Sequence, residues 1–151
     1  MDPLRRGTAG VVQIVDIQSE GKTVPVETLE WIHTHKTAAL LESSVVCGAI
    51  VAGASDEDIE RVRKYAINIG LAFQVIDDIL DITQSSEQLG KTAGKDLDSE
   101  KSTYPSLVGL EESKRIAKRL IDEAKEQLAG YDEAARAPLV GLADFIYLRQ
   151  N

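Results

Sequence analysis

An all-α fold is predicted by three observations. Apolar residues recur at three- and four-residue steps from Ile59 through Val62, Tyr65 or Ala66, Ile69, Phe73, Ile76 and Leu80, the period of a helix with one packed face. Ser55 followed by Asp56-Glu57-Asp58 is a helix start, because a serine hydroxyl accepts from free amides and acids favour the positive end of the dipole. Two further amphipathic patterns, 111–128 and 133–148, close the chain around Gly130, with Pro138 expected to break the second.

The earlier elements follow in order. Val11-Val12-Gln13-Ile14-Val15-Asp16-Ile17 reads as helix or strand and ends at Ser19-Glu20-Gly21-Lys22, where glycine permits a turn. From Pro25 to Gly53 an apolar stripe through Leu29, Ile32, Thr37, Leu40, Leu41 and Val45 predicts one long helix or a broken pair, entered from Thr23 or Val24. Beyond Ile82 a polar stretch carries Gly90, Lys91, Gly94, Lys95 and Lys101. No repeat or linker interrupts the 151 residues, so one domain over 1–151 is expected.

Composition excludes several function classes. With 17 Lys+Arg against 25 Asp+Glu, the net charge of −8 argues against a general nucleic-acid binder and a polybasic membrane surface. The longest apolar run, 45–54, is too short for a membrane span. The single Cys47 rules out an internal disulfide framework and suits a reducing, intracellular compartment. It lies among Val46, Gly48 and Ala49, which predicts a small packed residue rather than a nucleophile. The opening residues resemble neither a secretory signal nor a transit peptide.

The informative conflict is Phe73-Gln74-Val75-Ile76-Asp77-Asp78-Ile79-Leu80-Asp81. Asp77 and Asp81 are one turn apart on a helix, with Asp78 beside them, and apolar neighbours crowd the rest of the circumference. Unpaired carboxylates cannot be buried there, so a cation or an aqueous cavity must meet them. Mg²⁺ suits such hard oxygen ligands, because it bridges one or two carboxylates to substrate phosphates while keeping several waters. Basic candidates are Lys91 and Lys95 in a glycine-containing loop, Lys101, and Lys36 beside Thr37. Gln74, three residues before Asp77, is either a satisfied core amide or a ligand contact. His33 and His35 are two apart and complete no zinc pattern.

Taken together, His35-Lys36-Thr37-Ala38-Ala39-Leu40-Leu41, the run 73–81, Leu89-Gly90-Lys91-Thr92, Lys101-Ser102-Thr103-Tyr104-Pro105 and the ending Tyr147-Leu148-Arg149-Gln150-Asn151 resemble the C-terminal half of a trans-isoprenyl diphosphate synthase. The likeness is to plant geranylgeranyl diphosphate synthases in particular. It implies part of the helical bundle of isoprenoid synthases and Mg²⁺-dependent condensation of isopentenyl diphosphate with an allylic diphosphate. It further implies Asp77, Asp78 and Asp81 as metal ligands, with Asp96 supporting the metal-bound waters. Lys36, Thr37, Gln74, Lys91 and Lys101 would contact the allylic substrate, its diphosphate or the developing cation, and Phe73 would line the cavity near the homoallylic substrate. The same likeness suggests a plastid and a homo- or heterodimer with a prenyl synthase chain.

Residues 1–10 depart from the family pattern, as does Val12, where the family usually has glycine, so looser packing of that segment is expected. The first aspartate-rich motif and the arginines after it do not occur in this chain. Half of the expected bundle is therefore absent, and Leu71, Val75 and Leu80 are expected to be exposed. Either the chain is a truncated synthase with one half-site, or it is a non-catalytic subunit that pairs with a full-length synthase. Val51, where paired cysteines would require a partner for Cys47, disfavours the second reading.

Overall fold

The computed structural model describes residues 8–83 and 102–149, and every regular element among them is helical. In order these are α1 (Thr8–Ser19), α2 (Val26–His33), a π-helical turn (Thr34–Ala38), α3 (Ala39–Val51), α4 (Asp56–Thr83), α5 (Tyr104–Val108), α6 (Leu110–Gln127) and α7 (Glu133–Leu148). The segment 11–17, open between helix and strand, is helical. It ends where Gly21 takes a φ of 69°, a left-handed value that favours glycine. Val12 is buried with its backbone still helical, so the packing tolerates a valine there.

The stretch 26–51 runs as one helical path with a π turn in its middle. Pro25, not the residues before it, is the cap: its carbonyl accepts from the Thr28 and Leu29 amides at 3.0 and 3.2 Å. The π turn holds His35, Lys36 and Thr37 and ends at Ala38, which is completely buried against α4. There the backbones meet at Gly70, where an added Cβ would lie 2.6 Å from the Ala38 Cβ and 2.7 Å from its Cα. Only glycine permits that approach.

α4 is the central element, and α2, α3, α5, α6, α7 and the π turn all pack against it. Its start is as expected, with the Asp58 amide donating to Ser55 Oγ at 3.1 Å. Tyr65, Ala66, Ile69, Ala72, Val75 and Ile76 form the core with Ala117, Leu120, Ile121 and Ala124 of α6. Each large apolar side chain fully buried in this way contributes about 1.5–3 kcal/mol relative to exposure. The buried Tyr65 hydroxyl donates to the Leu139 carbonyl at 2.8 Å and ties α4 to α7.

Three expectations are corrected. Leu71, Val75 and Leu80 are buried rather than exposed, because neighbouring helices surround α4 on most sides. Cys47 is exposed on α3 rather than packed, since the packed side of α3 is the one carrying Val46. Pro138 does not break its helix; α7 continues through it. A proline in the second turn removes one intrahelical bond, and packing of α7 against α4 and α6 compensates for it. The exposed apolar side chains instead include Val11, Ile14 and Ile17 on α1, Leu40, Ile50 and Val51 on α3, and Phe145 and Leu148 on α7.

Candidate functional site

A cavity of about 200 Å³ opens between α1, α2, the π turn, the C-terminal part of α4 and the approach to α5. Asp16, Ser19, His33, Lys36, Gln74, Asp77, Asp78, Ser102 and Thr103 supply its polar lining, with Val24, Leu29 and Ile32 apolar. Of the sequence-predicted residues, Lys36, Gln74, Asp77 and Asp78 meet here. Thr37, Phe73 and Asp81 do not line it; Thr37 and Phe73 are half-buried, and Asp81 is buried in the wall of α4. Lys91, Asp96 and Lys101 lie outside the described residues.

Each side chain is placed by local structure. The π turn carries Lys36, whose Nζ donates to Asp16 Oδ2 of α1 at 2.6 Å. A π turn spreads the residues of one helical turn and is a frequent companion of functional positions. Asp78 is buried and accepts from the Tyr104 amide at 2.9 Å, so one of its oxygens anchors the start of α5. That start is a capping box: the Ser106 amide donates to Thr103 Oγ1, and the Thr103 amide to Ser106 Oγ. Asp77 is 37% exposed at its side chain and has Arg149 Nη2 3.5 Å from Oδ1.

His33, Asp16 and Arg149 were not singled out as site residues from the sequence. His33 shares a helical face with Lys36, three residues on, and that spacing is the signal that would have found it. Burial, with a smaller push from Lys36, lowers its pKa to about 4, while Asp16 and Asp77 act in the opposite sense. The imidazole is therefore neutral near pH 7. Its Nδ1 is buried without a hydrogen-bond partner, and its ring is tilted against that of Tyr104 at 5.8 Å. Nothing local in the sequence connects Asp16 or Arg149 to Lys36 or Asp77.

The lining then holds three carboxylates, Asp16, Asp77 and Asp78, against one ammonium, Lys36. Among the described residues no group of three or more His, Cys, Asp and Glu side chains converges to hold a metal ion. A hard divalent cation that keeps its waters needs only one or two carboxylates. Asp77 and Asp78, neighbours on α4, offer carboxylates of that kind. Among the described residues no helix is long and apolar enough to cross a membrane.

Fold and site together define an all-helical protein with an acidic, cation-compatible cavity on its central helix. The family model for polyprenyl synthetase matches residues 7–137, and the chain belongs to that family. It is 59% identical over 150 residues to the chloroplastic heterodimeric geranylgeranyl pyrophosphate synthase large subunit 1 of Arabidopsis thaliana, covering 96% of this chain and 40% of that protein. Its fold superposes with a TM-score of 0.89 on a polyprenyl synthase from Caulobacter crescentus complexed with calcium and isoprenyl diphosphate, at 26% identity over 98% of this chain and 58% of that one. A geranyltransferase from Helicobacter pylori complexed with magnesium and isoprenyl diphosphate gives a TM-score of 0.69 at 33% identity, covering 91% and 45%. The chain spans about 40% of the length of the curated relative it matches.

Proposed function

We propose that residues 1–151 act as one domain of a geranylgeranyl diphosphate synthase-like prenyltransferase and supply the Mg²⁺–diphosphate half of its site. The observation that carries this reading is the convergence of Asp77 and Asp78 from α4 with Lys36 from the π turn on one cavity. In the reaction, isopentenyl diphosphate condenses with an allylic diphosphate. Asp77 would hold Mg²⁺ directly, Asp78 and Asp81 partly through bound water, with Asp96 supporting those waters; when bound, Mg²⁺ neutralises diphosphate and makes it a better leaving group. Two solved relatives carry a divalent ion together with isoprenyl diphosphate, which supports the donor chemistry.

The chain's own residues have distinct tasks. Lys36 leaves Asp16 to reach the diphosphate as a point charge, joined by Lys91 and Lys101. Gln74 and Thr37 present dipoles to the developing allylic cation without offering a strong nucleophile. Val24, Leu29 and Ile32 keep water from that cation. Phe73 lies beside the homoallylic substrate. The heterodimeric relative supports action within a homo- or heterodimer with a prenyl synthase chain.

A second reading, a non-catalytic subunit of a full-length synthase, is favoured by the exposed apolar residues of α1 and α3. One experiment separates the two: the chain is incubated with Mg²⁺, isopentenyl diphosphate and a labelled allylic diphosphate, with and without a full-length synthase. Prenyl product that requires Asp77 of this chain supports the half-site. A changed yield or product length that persists in Asp77→Ala supports the subunit reading. Asp77→Ala is expected to weaken Mg²⁺-dependent diphosphate binding at least ten-fold, about 1.4 kcal/mol, and unchanged binding removes the metal assignment. The chloroplastic relative supports a plastid location, which imaging of a tagged chain in plant cells tests.

A further inference from the structure

Arg149 follows α7 and folds back onto α4. Its side chain is 8% exposed, and Nη2 donates to the Phe73 carbonyl at 2.8 Å. The guanidinium carbon stands 3.8 Å from the centre of the Phe73 ring, in cation–π geometry. The same Nη2 lies 3.5 Å from Asp77 Oδ1, while Nε is buried without a partner. Two of these restraints, the ring and the carbonyl, do not involve Asp77. The guanidinium is therefore a fixed positive charge beside that carboxylate, whatever else Asp77 binds, and arginine does not give up its proton to escape.

We infer that Arg149 makes Asp77 discriminate between a bare divalent cation and a divalent cation already carrying a diphosphate. The inference rests on the metal–diphosphate reading above. A bare divalent ion approaching Asp77 brings two positive charges within a few ångströms of a third, in a partly desolvated site where the repulsion is poorly screened. A divalent ion bound to a diphosphate has lost its net positive charge and meets no such penalty; its phosphate oxygens are attracted to the guanidinium. Metal and diphosphate thus load together, and by linkage each strengthens the other's binding by the same factor. Arg149 acts through Asp77, as a positioning and selectivity residue rather than a catalytic one.

The test titrates the full 151-residue chain with Mn²⁺, free ion being counted by its paramagnetic resonance signal, with and without inorganic diphosphate. Binding that disappears in Asp77→Ala is assigned to this site. The unmodified chain should bind Mn²⁺ weakly alone and more tightly with diphosphate. Arg149→Gln should bind Mn²⁺ alone about ten-fold more tightly, and the tightening caused by diphosphate should shrink. Arg149→Met, which keeps an apolar stem on the Phe73 ring without a charge, should do the same and covers the case in which the glutamine variant fails to fold. A merely structural role for Arg149 would weaken both titrations alike. Unchanged or weaker binding of Mn²⁺ alone in a folded variant overturns the inference and leaves the metal site standing. No Asp77-dependent Mn²⁺ binding in the unmodified chain, with or without diphosphate, overturns the metal–diphosphate reading and the inference with it.

Discussion

His33 shows how one buried group gives the molecule a pH dependence. Its pKa is about 4 in the folded chain, chiefly through burial, against 6.5 for a freely solvated imidazole. The unfolded chain therefore takes up a proton below pH 6.5 that the folded chain refuses until about pH 4. The unfolded state binds more protons across that window, so stability falls as pH drops through it and is unaffected above it. A shift of this size amounts to about 3 kcal/mol when fully expressed. Urea unfolding of His33→Gln at pH 7 and pH 4.5 should show a smaller loss of stability than the unmodified chain. Equal losses would mean that His33 is not the group responsible. The same imidazole is neutral beside the three carboxylates of the lining, so Lys36 is the cation among the described lining residues.

The decisive contact between elements is Gly70 of α4 against Ala38 at the end of the π turn. Two effects oppose each other in Gly70→Ala. Alanine is better than glycine inside a helix by about 1 kcal/mol. Against that, the new Cβ would sit 2.6 Å from another Cβ and 2.7 Å from backbone, so the helices must separate, and overpacking of this kind costs about 1–3 kcal/mol or more. The clash wins, and Gly70→Ala should be destabilised by about 1–2 kcal/mol in chemical unfolding. Ala38→Gly in the same chain removes the atom being struck and should recover part of the loss. Since the π turn carries Lys36 and Thr37, Gly70→Ala should also weaken Mg²⁺-dependent diphosphate binding; full affinity would show that the turn's position is not critical. The residues of these elements were legible in sequence, but the π turn was not, because nothing in the local pattern of Thr34-His35-Lys36-Thr37-Ala38 distinguishes it from an ordinary helical turn.

At the scale of the molecule, apolar surface remains outside a well-buried core. Val11, Ile14 and Ile17 are each at least half exposed and fall on one side of α1 at three-residue steps. α3 exposes Leu40, Ile50 and Val51 without a charge among them, and its one acid, Glu42, is bonded to Arg63 of α4. Exposed apolar side chains grouped on helices in this way are what a partner surface would cover. The chain should therefore sediment as a concentration-dependent mixture and bind a full-length synthase. Ile14→Asp should reduce that association while changing the stability of the monomer by no more than about 0.5 kcal/mol. A concentration-independent monomer that ignores the synthase would remove the partner from the reading.

Sequence alone determined the helical class, the bounds of α4 and its cap, the acidic triplet and the family likeness, because each is a local pattern: a period, a hydroxyl before three acids, a run of named residues. It did not determine which acids face a cavity. Asp77 and Asp81 share a helical phase, yet only Asp77 lines the opening, with Asp81 buried in the wall. Nor did it show that Leu71, Val75 and Leu80 are covered, that Lys36 rests on Asp16, or that Arg149 lies against Phe73 beside Asp77. Those partners are 20 to 76 residues apart along the chain. Helical period fixes the face on which a side chain stands, whereas the neighbour it meets is set by how whole helices pack, and that is decided only when the chain closes on itself.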